Sequence, residues 1–299
     1  MVGKSVGFTG RLFSRLMTGI ILSVILLMAN KGVIAQSFTW SGSFQYSGGS
    51  YYFTERTDSF YFTNSLSVAG ERTRVTFNIP YVVQSTPWIS YGPEGVRPTG
   101  GSRHGQVGMG SGAVMMPGGN PQDRRRDRVH LPDSDIGRHS GFSDPSMNIS
   151  LRITQTHLRS PTIHLNSMLK VPLASPSSGF GSGSWDFGFG ISLLQPIGTW
   201  ISFADVMYLW MGDMEELELN NPLTYGIGLG RGFKEGRWLM SISLNGMTRW
   251  IDEYDPPVNV GIGITYSISS HITLSTSVSA GFTETSPDLS LGAGWSTRF

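Results

Sequence analysis

The chain has 299 residues, 39 of them glycine, with 14% charged residues, no cysteine and a formal net charge of +1. That length accommodates one large all-β domain, and the missing cysteine excludes disulfides, thiolate metal sites, cysteine nucleophiles and a lipidated N-terminal cysteine. Glycine well above its roughly 7% average argues for strands and turns over helices, and the near-neutral charge balance gives no nucleic-acid binder.

Residues 1–35 read as a signal peptide. Lys4, Arg11 and Arg15 precede the apolar run LMTGIILSVILLMA, and small Ala35 stands at the cleavage position ahead of Gln36. A membrane anchor is the competing reading, but 14 residues rise only about 21 Å as a helix, short of the ~30 Å hydrocarbon core. Losing Lys4, Arg11, Arg15 and Lys31 leaves the mature chain, 36–299, with three more acidic than basic residues.

Beyond Ala35 the recurring signal is alternation. In VNVGIGITYSI, Val258, Val260, Ile262, Ile264, Tyr266 and Ile268 share one face, with Asn259, Gly261, Gly263, Thr265 and Ser267 on the other. HITLSTSVSAGF repeats the pattern, and a period of two means strand. The same reading predicts twelve strands at 37–46, 58–69, 72–84, 146–156, 161–172, 184–195, 198–209, 222–232, 236–247, 257–268, 270–282 and 287–299. Ten or fourteen stay open, because the first strand could extend through GGSYYF.

Links after even strands are brief (AGER, HLRSP, PIG, FKEG, SS), whereas those after odd strands are mostly longer, up to the stretch 85–145. Short turns at one rim and long loops at the other predict an antiparallel transmembrane β-barrel of the bacterial outer membrane, its loop 85–145 extracellular. The polar face is mostly Gly, Ser, Thr and Asn, with few full charges in the last three strands, Arg298 among them, which suits a wet interior better than an outer surface. Trp40, Trp200, Trp238 and Trp295 fall near the turn-side ends and Trp88, Trp185, Trp210 and Trp250 near the loop-side ends, the expected places for two aromatic girdles.

The ending SPDLSLGAGWSTRF alternates to its last residue. The final strand must pair with the first, since an open edge in lipid strands backbone groups at several kcal/mol each. This ending also resembles the C-terminal signature of outer-membrane proteins, with Trp295 and Phe299 as the assembly signal that the barrel assembly machinery reads.

Alternation places Arg74, Arg152, His164, Lys170, Asp186, Asp205 and Arg298 on the inner face as pore-lining candidates. A lipid-facing Arg or Lys at the midplane would cost roughly 2–4 kcal/mol. Inside, basic residues either select anions or pair with Asp186 and brace the wall. In the strand TWISFADVMYLW the inner face also carries Ile201 and Phe203. GIGLGRGF has glycine at every second position, so it is no dinucleotide fingerprint, and no cofactor is implied.

The stretch 85–145 carries seven basic residues, six acidic ones and three histidines. It reads as a solvated, partly disordered insertion; the alternatives are that RRRDR docks on anionic lipopolysaccharide or folds into the mouth as a constriction. His104, His130 and His139 lack metal-ligand spacing. A barrel hydrolase would need a serine and histidine presented together; His139 and Ser140 are adjacent in sequence, which seldom lets two side chains meet productively. A purely structural or adhesive barrel is the other rival.

Four stretches together resemble the MetA-pathway of phenol degradation family of outer-membrane channels: ERTDSFYFTNSLSVAGERTRVTFNIPYV, KVPLASPSSGFGSGSWDFGFGISL, NNPLTYGIGLGRGF and SPDLSLGAGWSTRF. The resemblance covers nearly all of 36–299 apart from the long loop. It implies passive uptake or efflux of small molecules, aromatic or hydrophobic compounds among them, while the length and basic content of 85–145 depart from the family.

Overall fold

The structure, a computed structural model, describes residues 37–53, 55–92, 95–98, 137–154, 160–212, 219–251 and 254–299. The proposed signal peptide, RRRDR, His104 and His130 lie outside these. Fifteen strands occur among the described residues: β1 (Ser37–Gly49), β2 (Thr57–Ala69), β3 (Thr73–Gln84), β4 (Ile89–Gly92), β5 (Gly95–Pro98), β6 (His139–Phe142), β7 (Ser146–Arg152), β8 (Thr162–Lys170), β9 (Asp186–Ile197), β10 (Trp200–Trp210), β11 (Leu223–Phe233), β12 (Trp238–Met247), β13 (Val258–Ser267), β14 (Ile272–Gly281) and β15 (Leu289–Arg298).

Each strand of the wall pairs antiparallel with its neighbours in chain order, and β1 pairs with β15 from Thr39↔Arg298 to Gly48↔Leu289. The sheet therefore closes. β6 and β7 occupy one position beside β3, at Tyr81–Gln84 and Thr73–Asn78 respectively, so the cylinder has twelve strand positions, as the alternation predicts. The interruption has a local cause: Pro80 has no N–H to give the ladder, and Ser143–Pro145 leave the wall opposite it, with Ser143 N donating to Pro80 O at 3.0 Å.

Closure runs to the last residue. Phe299 N donates to Phe38 O at 2.7 Å, and Phe38 N returns a bond to Phe299 O at 3.3 Å. On the outer face Trp295 lies over its cross-strand partner Gly42, where a Cβ would come within 2.2 Å of the indole. Glycine is needed there for the close approach. At the β11–β12 turn, Lys234, Glu235 and Gly236 all have positive φ. Left-handed backbone at these positions gives the turn a twist that matches the right-handed twist of the flanking strands.

The apolar faces point outward and stay exposed, for example Phe187 at 51%, Ile227 at 54% and Ile242 at 52%. Such a belt is stable only against hydrocarbon. Trp40, Trp200, Trp238 and Trp295 ring the short-turn end, and Trp185 and Trp210 the loop end; Arg231 lies 5.2 Å above the Trp200 ring. Trp88 and Trp250 do not belong to the upper girdle: both are buried inside the loop-side mouth. Their position along the chain is at the rim, as expected, but their links fold inward. The stretch GGSYYF behaves likewise, with β1 ending at Gly49 and Tyr51, Tyr52 and Phe53 turning into the mouth.

Candidate functional site

The lumen wall is built from small polar side chains that bond along the sheet. Ser65 donates to Asn78 Oδ1 at 2.7 Å, Asn78 to Ser146 Oγ at 3.1 Å, and Asn166 to Ser192 Oγ at 3.0 Å. These bonds satisfy the wall without bulk, leaving a hollow: Ser275 and Ser277 point inward on β14 and are nevertheless exposed. Phe203, also inward, is accommodated by Gly228, whose Cβ would meet its ring at 2.2 Å.

The loop-side mouth is closed by an apolar cluster. The hairpin β4–β5 contributes Ile89 and Val96 with Trp88 at its root. Tyr52 and Phe53 enter from the β1–β2 link, Trp250 and Tyr254 from the β12–β13 link, and Met168, Leu209 and Met247 from the wall beneath. Phe53 packs on Trp88 with ring centroids 5.5 Å apart and Tyr52 on Tyr254 at 5.0 Å. Tyr52 donates to Val96 O at 3.2 Å, and burial pushes its phenol far above the usual range, so it stays a neutral donor. Gln84, at the inner end of β3, donates to Ile89 O at 3.0 Å and so ties the hairpin's root to the wall.

The hairpin is pinned from its other side by charge. Arg97 donates to Asp186 Oδ2; Lys170 Nζ stands 2.8 Å from the same oxygen and 3.4 Å from Asp144 Oδ2, and also donates to Ser182. Asp186 Oδ1 accepts the Gly212 N–H at 3.0 Å. Asp144 accepts the N–H groups of Leu173, Ala174 and Ser182 at 2.9, 2.8 and 3.1 Å. Two cations and two carboxylates thus neutralise one another, all buried, and the Arg97 guanidinium lies 5.9 Å from the Trp250 ring centroid.

Of the residues expected to line a pore, the structure brings Lys170 and Asp186 together in this cluster, braced rather than open to solute. Arg74, Arg152 and His164 gather on the inner face toward the short-turn rim, Arg152 and His164 as cross-strand partners. Arg152 Nη2 donates to Glu71 O at 2.9 Å. Arg298 is exposed at that rim, its backbone bonded both ways to His271. Asp205 projects from mid-β10 into the lumen, with no hydrogen bond or ion pair to any described residue. Trp295 and Phe299 lie on the outer face at the β1–β15 seam.

Sequence reasoning missed Arg97 and Asp144. The turn signal GPEG ahead of Arg97 and the Asp144-Pro145 break were the available cues. His139 and Ser140 are consecutive residues of β6 and so project from opposite faces of the wall, which separates them as a catalytic pair. Among the described residues no group of His, Asp and Glu has metal-ligand geometry.

Below Val96 of the hairpin the lumen opens into a cavity of about 520 Å³. Apolar side chains (Met168, Met207, Leu209, Met247) and polar ones (Asn148, Asp205, Asn245, Asn259) line it.

The model of the MetA-pathway of phenol degradation family matches residues 57–299. No curated protein matches. Among solved structures, an outer membrane channel from Pseudomonas putida F1 is similar at a TM-score of 0.62 and 10% identity, over 91% of this chain and 98% of that one. Two more distant barrels are the NanC porin, at 0.45 and 9% identity over 87% and 98% of the chains, and the CymD monoaromatic hydrocarbon channel, at 0.43 and 10% over 89% of each. At these identities the likeness is one of fold.

Proposed function

The chain belongs to the MetA-pathway of phenol degradation family, and we propose that it serves as an outer-membrane channel for the passive uptake or efflux of small molecules, aromatic or hydrophobic ones among them. The observation that carries this reading is the inversion of the wall: apolar side chains face outward and are exposed, while inward Ser275, Ser277 and Asp205 are exposed to a hollow. The solute gradient supplies the driving force. The capped mouth makes the hairpin β4–β5 the element that limits passage.

We read the protein as no enzyme, because the adjacent His139 and Ser140 project to opposite sides of the sheet. Its partners on this reading are outer-membrane lipid around the apolar belt and lipopolysaccharide at the loop rim. The barrel assembly machinery would read the seam residues Trp295 and Phe299. Swelling of proteoliposomes in small neutral solutes tests the channel directly. Swelling faster than in protein-free vesicles, without release of fatty acid, supports it; intact solute exclusion with lipid hydrolysis would reverse it in favour of an outer-membrane hydrolase.

A further inference from the structure

One rung of cross-strand partners crosses the inner wall at the level of the cavity: Asp205 pairs with Gly226, Gly226 with Asn245, and Asn245 with Asn259. Asp205, Asn245 and Asn259 all line the cavity. Over Gly226 two oxygens converge, for a Cβ there would lie 2.6 Å from Asp205 Oδ1 and 2.9 Å from Asn245 Oδ1. Asn245 commits one of its two amide N–H groups to Ser243 Oγ at 3.2 Å, which holds the amide with its carbonyl oxygen over Gly226.

A carboxylate and a carbonyl side by side, with no donor between them, form half of a hydrogen-bonding site. The other half must be supplied by whatever occupies the space. The charge balance points the same way. The neighbouring ions, Arg97, Lys170, Asp144 and Asp186, neutralise one another, and among the described residues Asp205 is the one carboxylate lining the cavity, with no Lys or Arg side chain beside it in the lining. On the loop side of this acceptor edge, Met207 and Leu209 follow Asp205 on β10, Met247 follows Asn245 on β12 and Met168 stands on β8, flexible thioether and aliphatic chains that mould to an apolar body. The volume of about 520 Å³ lies in the range of small-molecule sites.

From this arrangement, and resting on the channel reading above, we infer that the cavity is a binding station for a small amphiphile with a compact apolar body and a cationic or hydrogen-bond-donating head, the head held between Asp205 and Asn245. Anionic solutes of the same shape are disfavoured there. Specificity arises because an anion or a pure acceptor offers neither oxygen a donor, and an anion is in addition repelled by the Asp205 carboxylate.

Three probes that share a phenyl body test the inference: benzylammonium, benzyl alcohol and benzoate, titrated calorimetrically into the mature barrel in a neutral detergent at fixed ionic strength. Benzylammonium is expected to bind at least about 10-fold more tightly than benzoate, the discrimination that one charge-assisted hydrogen bond provides. Asp205 makes no contact that the fold needs, so Asp205→Asn should fold, lose the cation preference and alter benzyl alcohol binding by less than about 2-fold. Asp288→Asn, which removes an exposed carboxylate outside the cavity, should leave the preference intact. Equal binding of the three probes, or equal loss in D205N and D288N, overturns the site. Proteoliposome swelling separates the two readings. Solute passage with indifferent probe binding keeps the channel and discards the station; discriminating binding without passage does the reverse.

Discussion

Lys170 Nζ stands 2.8 Å from Asp186 Oδ2 at the upper end of the β8–β9 pair, and the same carboxylate oxygen receives Arg97 from the hairpin that fills the mouth. One wall carboxylate therefore holds both the wall and the plug. Asp186→Asn leaves two buried cations facing one remaining acidic partner, and breaking a buried pair in this way costs about 3–5 kcal/mol. The variant is expected to unfold at a lower temperature and to show larger conductance, because the hairpin loses its anchor while Gln84 still ties its root. Thermal scans in detergent and bilayer recordings check the two effects. Unchanged values in both would remove the anchoring role.

The seam between first and last strands depends on Gly42 making room for Trp295. Gly42→Val places side-chain atoms where the indole lies, an overpacking that costs roughly 1–3 kcal/mol. Because the clash needs both partners, G42V/W295A should lose less than the sum of its single variants. Reversible folding into vesicles, followed by heat-modifiable migration, gives the cycle. Additive losses would show that the two side chains do not interfere.

The final phenylalanine closes the barrel through its backbone, and its ring is the proposed assembly signal. Phe299→Ser keeps both bonds to Phe38. In cells its yield of protease-protected barrel is expected to fall several-fold, while purified protein refolds into vesicles close to the wild-type extent. Equal deficits in both settings would assign the ring to stability alone.

Ile242 and Ser243 are neighbours on β12, one facing lipid and the other the lumen. Ile242→Arg should destabilise folding by about 2–4 kcal/mol, the midplane penalty, and Ser243→Arg by much less. Equilibrium unfolding from vesicles measures both; the opposite order would mean that the wall faces the other way. On the inner face, Arg74→Ala with Arg152→Ala is expected to move the reversal potential in a salt gradient toward cation preference.

The strands were legible because lipid outside and water inside impose a strict period of two, and each predicted strand lies within a few residues of an observed one. The exceptions are local. Strand 146–156 is shorter than expected, ending at Arg152, and β6 stands in for its upper part because Pro80 and the Ser143–Pro145 break interrupt the ladder. Trp88 and Trp250 carry no sequence mark that separates a girdle from a plug, since both need an apolar ring near the rim. Lys170 and Asp186 were legible as inward charges. Their partners Arg97 and Asp144 were not, because those lie in a long link whose path periodicity does not reach.

Single-channel recording in planar bilayers tests the central claim most directly, comparing the mature protein with a variant lacking 89–98. The predicted result is stepwise conductance from the mature barrel and larger steps once the hairpin is gone. Membranes that stay silent with both proteins, each verified as folded by heat-modifiable migration, would contradict a solute pathway through this lumen.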